Sequence, residues 1–208
     1  AFHEFNKKRK QLLKLHYGVY EGLEKLSRED FRIVAYTESN LFAAVDRLNR
    51  TELIKFFDRI YCRERSKSLH PDAQRKKKWE LCIPEDRVVE ISESKKKPDP
   101  GLLAEICQDE GVLRQHTAYV GDSVARDIMM AKMADVFCVW AKYGSIHNPG
   151  EFDKLVRVSH WTDEDIQREI ELKERSKGIS PDAVAETDFS EVVAAIENRF
   201  GKSVHIKG

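Results

Sequence analysis

Short apolar runs alternate with amphipathic helical segments along most of this chain, and this alternation restricts its fold more than any other feature. FRIVAYT (31–37), rich in β-branched and aromatic residues, predicts a buried strand, whereas NLFAAVDRLNRTELIKFF (40–57) has the apolar spacing of an amphipathic helix. Strands joined by helices form parallel sheets covered on both faces, so the pattern predicts an α/β fold. Further strands are predicted at 58–64, 88–91, 117–122, 136–142 and 182–189, and further helices at 17–30, 76–81, 101–111, 127–134, 163–177 and 190–200.

Charge and cysteine usage argue against several classes of function. The chain carries 36 basic and 36 acidic side chains, and this balance argues against a dedicated nucleic-acid binder. No run of about 18 apolar residues occurs, so no segment is predicted to span a membrane. The four cysteines include no close pair typical of zinc or redox sites, and they are predicted to be buried free thiols in the cytoplasm: Cys62, Cys82, Cys107 and Cys138.

A glycine and two aspartates follow the predicted strand at 117–122, in the segment YVGDSVARD. Asp122 and Asp127 stand where this strand turns into a helix, and open α/β sheets bind their ligands at this end of their strands. Two carboxylates there can bind a hard cation such as Mg²⁺, which keeps its other positions for water and phosphate. The alternative is that Asp122 only caps the following helix.

A lysine precedes a proline-stiffened turn in KKKPDP (95–100). The position of the Lys97 ammonium is partly restricted by the adjacent Pro98, which suits it to neutralising a phosphate or a carboxylate. The alternative is a solvated basic run, in which Lys95 and Lys96 are near substitutes for Lys97.

A threonine ends the predicted strand at 31–37. The Thr37 hydroxyl, together with the backbone N–H groups of Glu38 and Ser39 at a helix start, can bind a phosphoryl oxygen. The alternative is that Thr37 is the N-cap of that helix.

The order of these three features resembles the haloacid dehalogenase superfamily, in particular phosphatases of the phosphoglycolate phosphatase type. The features are Thr37 at a strand end, Lys97 in K-P-x-P, and Asp122 and Asp127 in G-D-x-x-x-x-D. YGVYEGLEKL and DIMMAKMADVFCVWAKYG also resemble segments of that family. The resemblance covers about 17–145 and resumes at about 182–200. It implies a Rossmann-like core, with a parallel sheet and helices on both faces.

The resemblance implies the function of a Mg²⁺-dependent phosphatase that hydrolyses a small phosphorylated metabolite through an aspartyl-phosphate. Phosphoryl transfer chiefly requires positive charge around the phosphoryl oxygens, which Mg²⁺ and one lysine supply. Asp122 and Asp127 would be the metal ligands, with the Ser123 hydroxyl beside them. The phosphate-binding residues would be Thr37, Glu38, Ser39 and Lys97, of which Thr37 and Lys97 would be catalytic.

The family's nucleophile, the first aspartate of a D-x-D-x-T/V motif that ends the first strand, is absent from this sequence. Its only D-x-D is formed by Asp163 and Asp165, where Thr162 and a run of acids predict a helix start instead. In this fold the first strand lies between the threonine strand and the metal-motif strand, and each buried backbone group left unpaired by its loss costs about 1 to 3 kcal/mol. We therefore expect the strand and its nucleophile outside the sequence, and predict that the chain alone is inactive.

The same resemblance predicts the domain organisation. Residues 1–16 resemble the last helix of a truncated helical cap, and residues 17–208 resemble a core without its first strand. A charged helical insertion at 151–180 departs from the family pattern. Its apolar residues either cover the core or support dimerisation: Phe152, Leu155, Val156 and Trp161.

Two other functions stay open from the sequence. A non-catalytic binding or regulatory member of the fold predicts that no D-x-D-x-T/V is encoded upstream. A dehalogenase of the same superfamily needs no metal, and the pair of Asp122 and Asp127 disfavours it. For the leading function we expect a small phosphorylated metabolite as partner, no nucleic acid and no membrane, and we leave a homo-oligomer open.

Overall fold

The structure is a computed structural model that describes residues 12–64, 85–145 and 162–201. The chain divides into two compact units, one formed by residues 13–15 and 20–96 and the other by residues 1–12, 16–19 and 97–208. Some predicted features lie outside the described residues: Cys82, the helix at 76–81, residues 1–11 of the predicted cap helix and the apolar residues of the predicted insertion. Residues 12–16 of the predicted cap helix are described and are not helical.

The first unit alternates helix and strand as predicted. Its elements are α1 (Val19–Arg28), β1 (Val34–Asn40), α2 (Leu41–Arg50), a 3₁₀ turn (Ile54–Phe56), β2 (Arg59–Arg63), a second 3₁₀ turn (Glu85–Arg87) and β3 (Val88–Ile91). The strands form a parallel sheet in the order β1-β2-β3. One face of α2 is buried with β2, through Leu41, Ala44, Val45 and Cys62, so apolar burial holds the helix against the sheet.

Two boundaries in this unit differ from the predicted ones. The strand predicted at 31–37 lies three residues further along the chain, because Asn40 caps the next helix by accepting the N–H of Ala43 at 2.9 Å. That helix ends at Arg50, and the chain then turns at Glu52 with a left-handed φ of 58°. A right-handed helix cannot continue through such a residue.

The second unit contains the predicted metal motif. Its elements are α3 (Pro100–Asp109), a 3₁₀ turn (Arg114–His116), β4 (Ala118–Gly121), a π-helical turn (Val124–Ile128), α4 (Met129–Met133), β5 (Phe137–Ala141), a 3₁₀ turn (Lys142–Gly144), α5 (Asp163–Arg175), β6 (Ala183–Ala185) and α6 (Phe189–Phe200). The strands form a parallel sheet in the order β4-β5-β6. Parallel sheets that alternate with helices confirm the predicted α/β fold.

The strands β1 and β4 are each at an edge of their own sheet, within the described part of the chain. None of the residues of β1 or β4 is fully buried, whereas the three central residues of β2 and most of β5 are. An edge strand presents backbone groups that can pair with a further strand. These are the two strands that the family resemblance places beside its first strand.

The predicted charged helix of the insertion is present as α5. It begins with a capping box, in which the Thr162 hydroxyl accepts the N–H of Asp165 and the Asp165 carboxylate accepts the N–H of Thr162. The D-x-D of Asp163 and Asp165 is therefore a helix start, as predicted. Of the helices in the described ranges, none is both long and apolar enough to cross a membrane.

Candidate active site

The end of β4 is shaped by the packing of an aspartate onto a glycine. A Cβ atom added to Gly121 would lie 2.3 Å from the Cβ and 2.5 Å from the Cγ of Asp127, so only glycine fits there. The chain turns through Ser123, whose carbonyl accepts the N–H groups of Asp127 at 2.8 Å and Ile128 at 3.1 Å. The resulting π-helical turn directs the Asp127 side chain back over the strand end. This explains the glycine of the G-D-x-x-x-x-D segment.

Asp127 is the centre of a buried polar cluster. It is 5% exposed, and its Oδ1 accepts from the Lys97 ammonium at 2.8 Å and from the Tyr119 hydroxyl at 3.0 Å. Its Oδ2 accepts the backbone N–H of Ser123 at 3.2 Å. A buried carboxylate is costly unless it is paired and hydrogen-bonded, and here both conditions are met.

Lys97 is held from several directions and is not part of a solvated run. Its side chain is 14% exposed, its ammonium lies 5.5 Å from the centre of the Tyr119 ring, and its backbone carbonyl accepts from Arg168 Nη2 at 2.9 Å. The neighbouring Lys96 is exposed. The Asp99 side chain caps α3 by accepting the N–H of Leu102 at 3.1 Å. The structure thus distinguishes Lys97 from the adjacent Lys96.

Asp122 differs from Asp127 in its exposure to solvent and in its hydrogen bonds. It is exposed, and its backbone carbonyl accepts from Trp140 Nε1 at 3.1 Å. The helical turn that follows begins at Ser123 without a side-chain cap, so Asp122 does not cap it. Burial raises the pKa of nearby Tyr143 to about 12, with further contributions from the negative charges of Asp188 and Asp122. Asp122 therefore places a negative charge at the end of β4.

The two carboxylates fit a Mg²⁺ ion unequally. Mg²⁺ is often bound by one or two protein carboxylates, with water and phosphate as the other ligands, and the exposed Asp122 suits that role. Asp127 is less suited to direct ligation, because three donors already bond to its oxygens and the nearest of them is the Lys97 ammonium group. In the described ranges no three His, Cys, Asp or Glu side chains are grouped as a metal-binding set.

The other predicted phosphate-binding residues form a group in the first unit, at the end of β1. The Thr37 Oγ1 accepts the N–H of Ser39 at 3.1 Å, and the helix cap is Asn40, so the N-cap alternative for Thr37 is wrong. The Ser39 hydroxyl accepts from Arg47 Nη2 at 2.7 Å. The carboxylate of Glu38 pairs with Arg63 Nη2 at 3.3 Å. A hydroxyl that accepts one hydrogen bond retains its own proton to donate, so Thr37 is suited to a phosphoryl oxygen.

Comparison with known proteins now adds to this geometry. The family model described as "haloacid dehalogenase-like hydrolase" matches residues 4–135, which is more than half of the chain. The chain belongs to the haloacid dehalogenase-like hydrolases. This membership confirms the resemblance carried by Thr37, Lys97 and the G-D-x-x-x-x-D segment.

Individual proteins match this haloacid dehalogenase-like hydrolase over different shares of the two chains. It is 46% identical over 52 residues to a Pseudomonas putida protein described as "Probable phosphoglycolate phosphatase", a match over 25% of this chain and 20% of that protein. A phosphatase of the same superfamily from Thermococcus onnurineus has a similar fold, with a TM-score of 0.55 at 14% identity over 97% of this chain and 65% of the other. A 2-haloacid dehalogenase from Pseudomonas syringae has a TM-score of 0.50 at 17% identity, over 90% of this chain and 55% of the other. The chain thus spans less than two thirds of the length of each of these proteins.

Two side chains of the hydrolase that contact the Lys97–Asp127 pair were not predicted from the sequence. Tyr119 stands two residues before Gly121 in β4, so strand alternation puts both on one face and could have indicated it. Arg168 lies 71 residues from Lys97, and no local pattern indicates that contact. Conversely, Ser123 was predicted to contribute its hydroxyl, and the contact observed is that of its backbone N–H.

Proposed function

We propose that this haloacid dehalogenase-like hydrolase is a Mg²⁺-dependent phosphatase that hydrolyses a small phosphorylated metabolite through an aspartyl-phosphate. The observation that carries the proposal is the buried Lys97–Asp127 pair, 2.8 Å between Nζ and Oδ1, in the same turn region as the exposed Asp122. Phosphoryl transfer depends on positioned positive charge more than on covalent chemistry by the protein. An ammonium group whose place is set by a buried carboxylate meets that need.

Each predicted site residue has a physical task in this reaction. Lys97 stabilises negative charge on the phosphoryl oxygens, and Asp127 holds its ammonium group in place. Thr37 donates a hydrogen bond to a phosphoryl oxygen, with the backbone N–H of Glu38 nearby, whereas the Ser39 N–H already donates to the Thr37 hydroxyl. Asp122 would hold Mg²⁺, as the family resemblance implies, and Mg²⁺ supplies Lewis-acid stabilisation of phosphoryl charge when bound.

The nucleophilic aspartate of the proposed reaction comes from outside residues 1–208. The position of β4 at the edge of its sheet, among the residues that the structure describes, supports this step, because a parallel strand paired there would end beside Gly121 and Asp122. Attack by its carboxylate on phosphorus breaks the ester P–O bond, and the leaving oxygen takes a proton from the second aspartate of the same motif. Water, deprotonated by that aspartate, then cleaves the acyl phosphate to return the carboxylate and free phosphate.

The compartment and the partners are also part of the proposal. Cys62, Cys107 and Cys138 are buried thiols, which supports a cytoplasmic location because thiols persist in reducing compartments. The formal net charge of zero supports a small phosphorylated metabolite as partner, in preference to nucleic acid or a membrane surface. An assembly of several copies is compatible with this function.

The test is hydrolysis of p-nitrophenyl phosphate and a panel of phosphorylated metabolites by the full-length protein, with Mg²⁺ and with a chelator. We expect Mg²⁺-dependent activity that Lys97→Met and Asp122→Asn each reduce by at least about 100-fold. Lys96→Met is the matched control, since Lys96 is exposed and adjacent in sequence. Mg²⁺ binding without hydrolysis of any substrate would overturn the proposal.

A second candidate is a non-catalytic binding member of the fold, which is favoured by the absence of D-x-D-x-T/V from residues 1–208. The coding sequence upstream of Ala1 distinguishes the two candidates. A motif of this form after an apolar strand supports the phosphatase. An upstream frame without the motif supports the binding protein.

A further inference from the structure

Helix α5, predicted from the sequence to belong to an insertion, contacts Lys97 directly and also contacts Arg126, the residue next to Asp127. On the side of Lys97, Arg168 Nη2 donates to the backbone carbonyl at 2.9 Å. On the side of Asp127, the Glu169 carboxylate pairs with the adjacent Arg126, whose Nε lies 3.2 Å from Oε2. Consecutive residues of one helix therefore bind Lys97 and the residue next to Asp127.

Apolar packing fixes α5 against the turn that carries Asp127. Leu172, the buried residue of this helix, is 4% exposed and packs in one cluster with Ala125 and Met129. Leu172 and Arg168 are four residues apart, so they lie on the same side of the helix. The helix is thus anchored on the turn, and Arg168 extends from this anchored face to the lysine.

We propose that Arg168 is a positioning residue for Lys97: by holding the lysine's backbone carbonyl, it sets the place of the ammonium group relative to Asp127. The inference rests on the proposed function for its catalytic consequence. Its structural part rests only on the contacts of α5. A carbonyl bonded to a guanidinium group on an anchored helix has less freedom than one bonded to water.

The chemistry of the ammonium group explains why a backbone contact matters. A lysine ammonium is a point charge on a flexible stem, so its position depends on where the stem begins and on what its end binds. Asp127 and Tyr119 act at the ammonium end of Lys97, and Arg168 acts at the backbone end. Misplacing a catalytic group by about 1 Å can reduce the rate by as much as 100-fold.

The experiment compares Arg168→Met, Arg168→Lys and Arg175→Met in the full-length protein. Arg175 is the matched control, because it is an exposed arginine of the same helix. The measurements are kcat and KM for p-nitrophenyl phosphate, the melting temperature, and the rate at which a brief pulse of acetylating reagent labels Lys97 relative to the exposed Lys96.

We expect Arg168→Met to lower kcat about tenfold at an unchanged KM, which is the pattern of an interaction made in the transition state. Lys97 should be acetylated several times faster in this variant, and Arg168→Lys should restore most of both values. Arg175→Met should match the unaltered protein in kcat and in labelling.

Two results would overturn the inference. One is labelling of Lys97 in Arg168→Met that equals that in Arg175→Met. The other is a loss of kcat that follows the melting temperature and is not restored by Arg168→Lys, since this indicates a merely structural role. If the full-length protein hydrolyses no phosphate ester, the proposed function fails, while the labelling of Lys97 still decides whether Arg168 positions it.

Discussion

The ends of β1 and β4 both carry predicted site residues, but different contacts hold them. At the end of β1, the Thr37 hydroxyl is bonded to the N–H of Ser39, two residues away, and Asn40 caps the helix that follows. At the end of β4, Asp127 is bonded to a lysine 30 residues away in sequence and is almost fully buried. The first end is held mainly by contacts between near neighbours, and the second by tertiary packing.

The ion pairs at the two ends differ in burial and in distance. Lys97 and Asp127 have side chains that are 14% and 7% exposed, whereas Arg63 and Glu38 are 30% and 20% exposed at the longer distance of 3.3 Å. Burial makes a charge pair costly to break, because the remaining charge loses its partner without regaining water. The β4 end should therefore respond to substitution much more strongly than the β1 end.

The largest expected effect is that of Asp127→Asn. It removes the carboxylate that the buried Lys97 ammonium binds at 2.8 Å, and we expect the free energy of unfolding, measured with urea, to fall by about 3 kcal/mol. Glu38→Gln is the matched substitution at the other end and should cost at most about 1 kcal/mol. Equal losses in the two variants would remove the distinction between the two ends.

Gly121→Ala should cause the next largest loss in the free energy of unfolding. Its new Cβ would lie 2.3 Å from that of Asp127, so the strand end or the π-helical turn must move, at a cost of about 2 kcal/mol. Gly144→Ala is the control, because its Cβ would meet the nearest Asp122 atom at 3.4 Å, close to ordinary contact. If both variants unfold at the same urea concentration, the packing of Asp127 on Gly121 is not what shapes this turn.

The helix cap at the β1 end should give a smaller effect. Asn40→Ala removes the acceptor for the N–H of Ala43 and should lower the free energy of unfolding by about 1 kcal/mol. Asn40→Asp keeps an acceptor in the same place and should be close to the unaltered protein. A loss of about 3 kcal/mol in Asn40→Ala would show that this end depends on more than a local cap.

The smallest effect concerns Tyr143 near Asp122. Burial and nearby negative charge raise the pKa of its phenol in the folded state to about 12, whereas an unfolded phenol ionises near pH 10. The unfolded state therefore loses its proton first, and stability falls as the pH rises above about 10. Tyr143→Phe removes this ionisation, so its free energy of unfolding should fall less between pH 9 and pH 10.5 than that of the unaltered protein, by under about 1 kcal/mol. Identical pH profiles would contradict the raised pKa.

Local sequence patterns predicted the elements well and their boundaries less well. The alternation of helix and strand, the strand at Val88–Ile91 and the helix start at Thr162 are all present. The predicted bounds of β1 and α2 were wrong. The end of β1 depends on the hydrogen bond that caps the helix at Asn40, and the end of α2 is followed by the left-handed φ of Glu52. Propensity summed over a segment does not resolve such choices.

The sequence by itself determined the α/β fold and the order of threonine, lysine and paired aspartates, because these depend on periodicity and on residues close together in the chain. Only the tertiary structure decided which lysine is buried, and that Asp127 binds this lysine while Asp122 stays exposed. It also placed Tyr119 in contact with Asp127 and Arg168 in contact with Lys97. These contacts join residues that are 8, 30 and 71 positions apart in sequence. The two with the greatest sequence separation depend on how helices and strands pack, which the periodicity of the sequence does not encode.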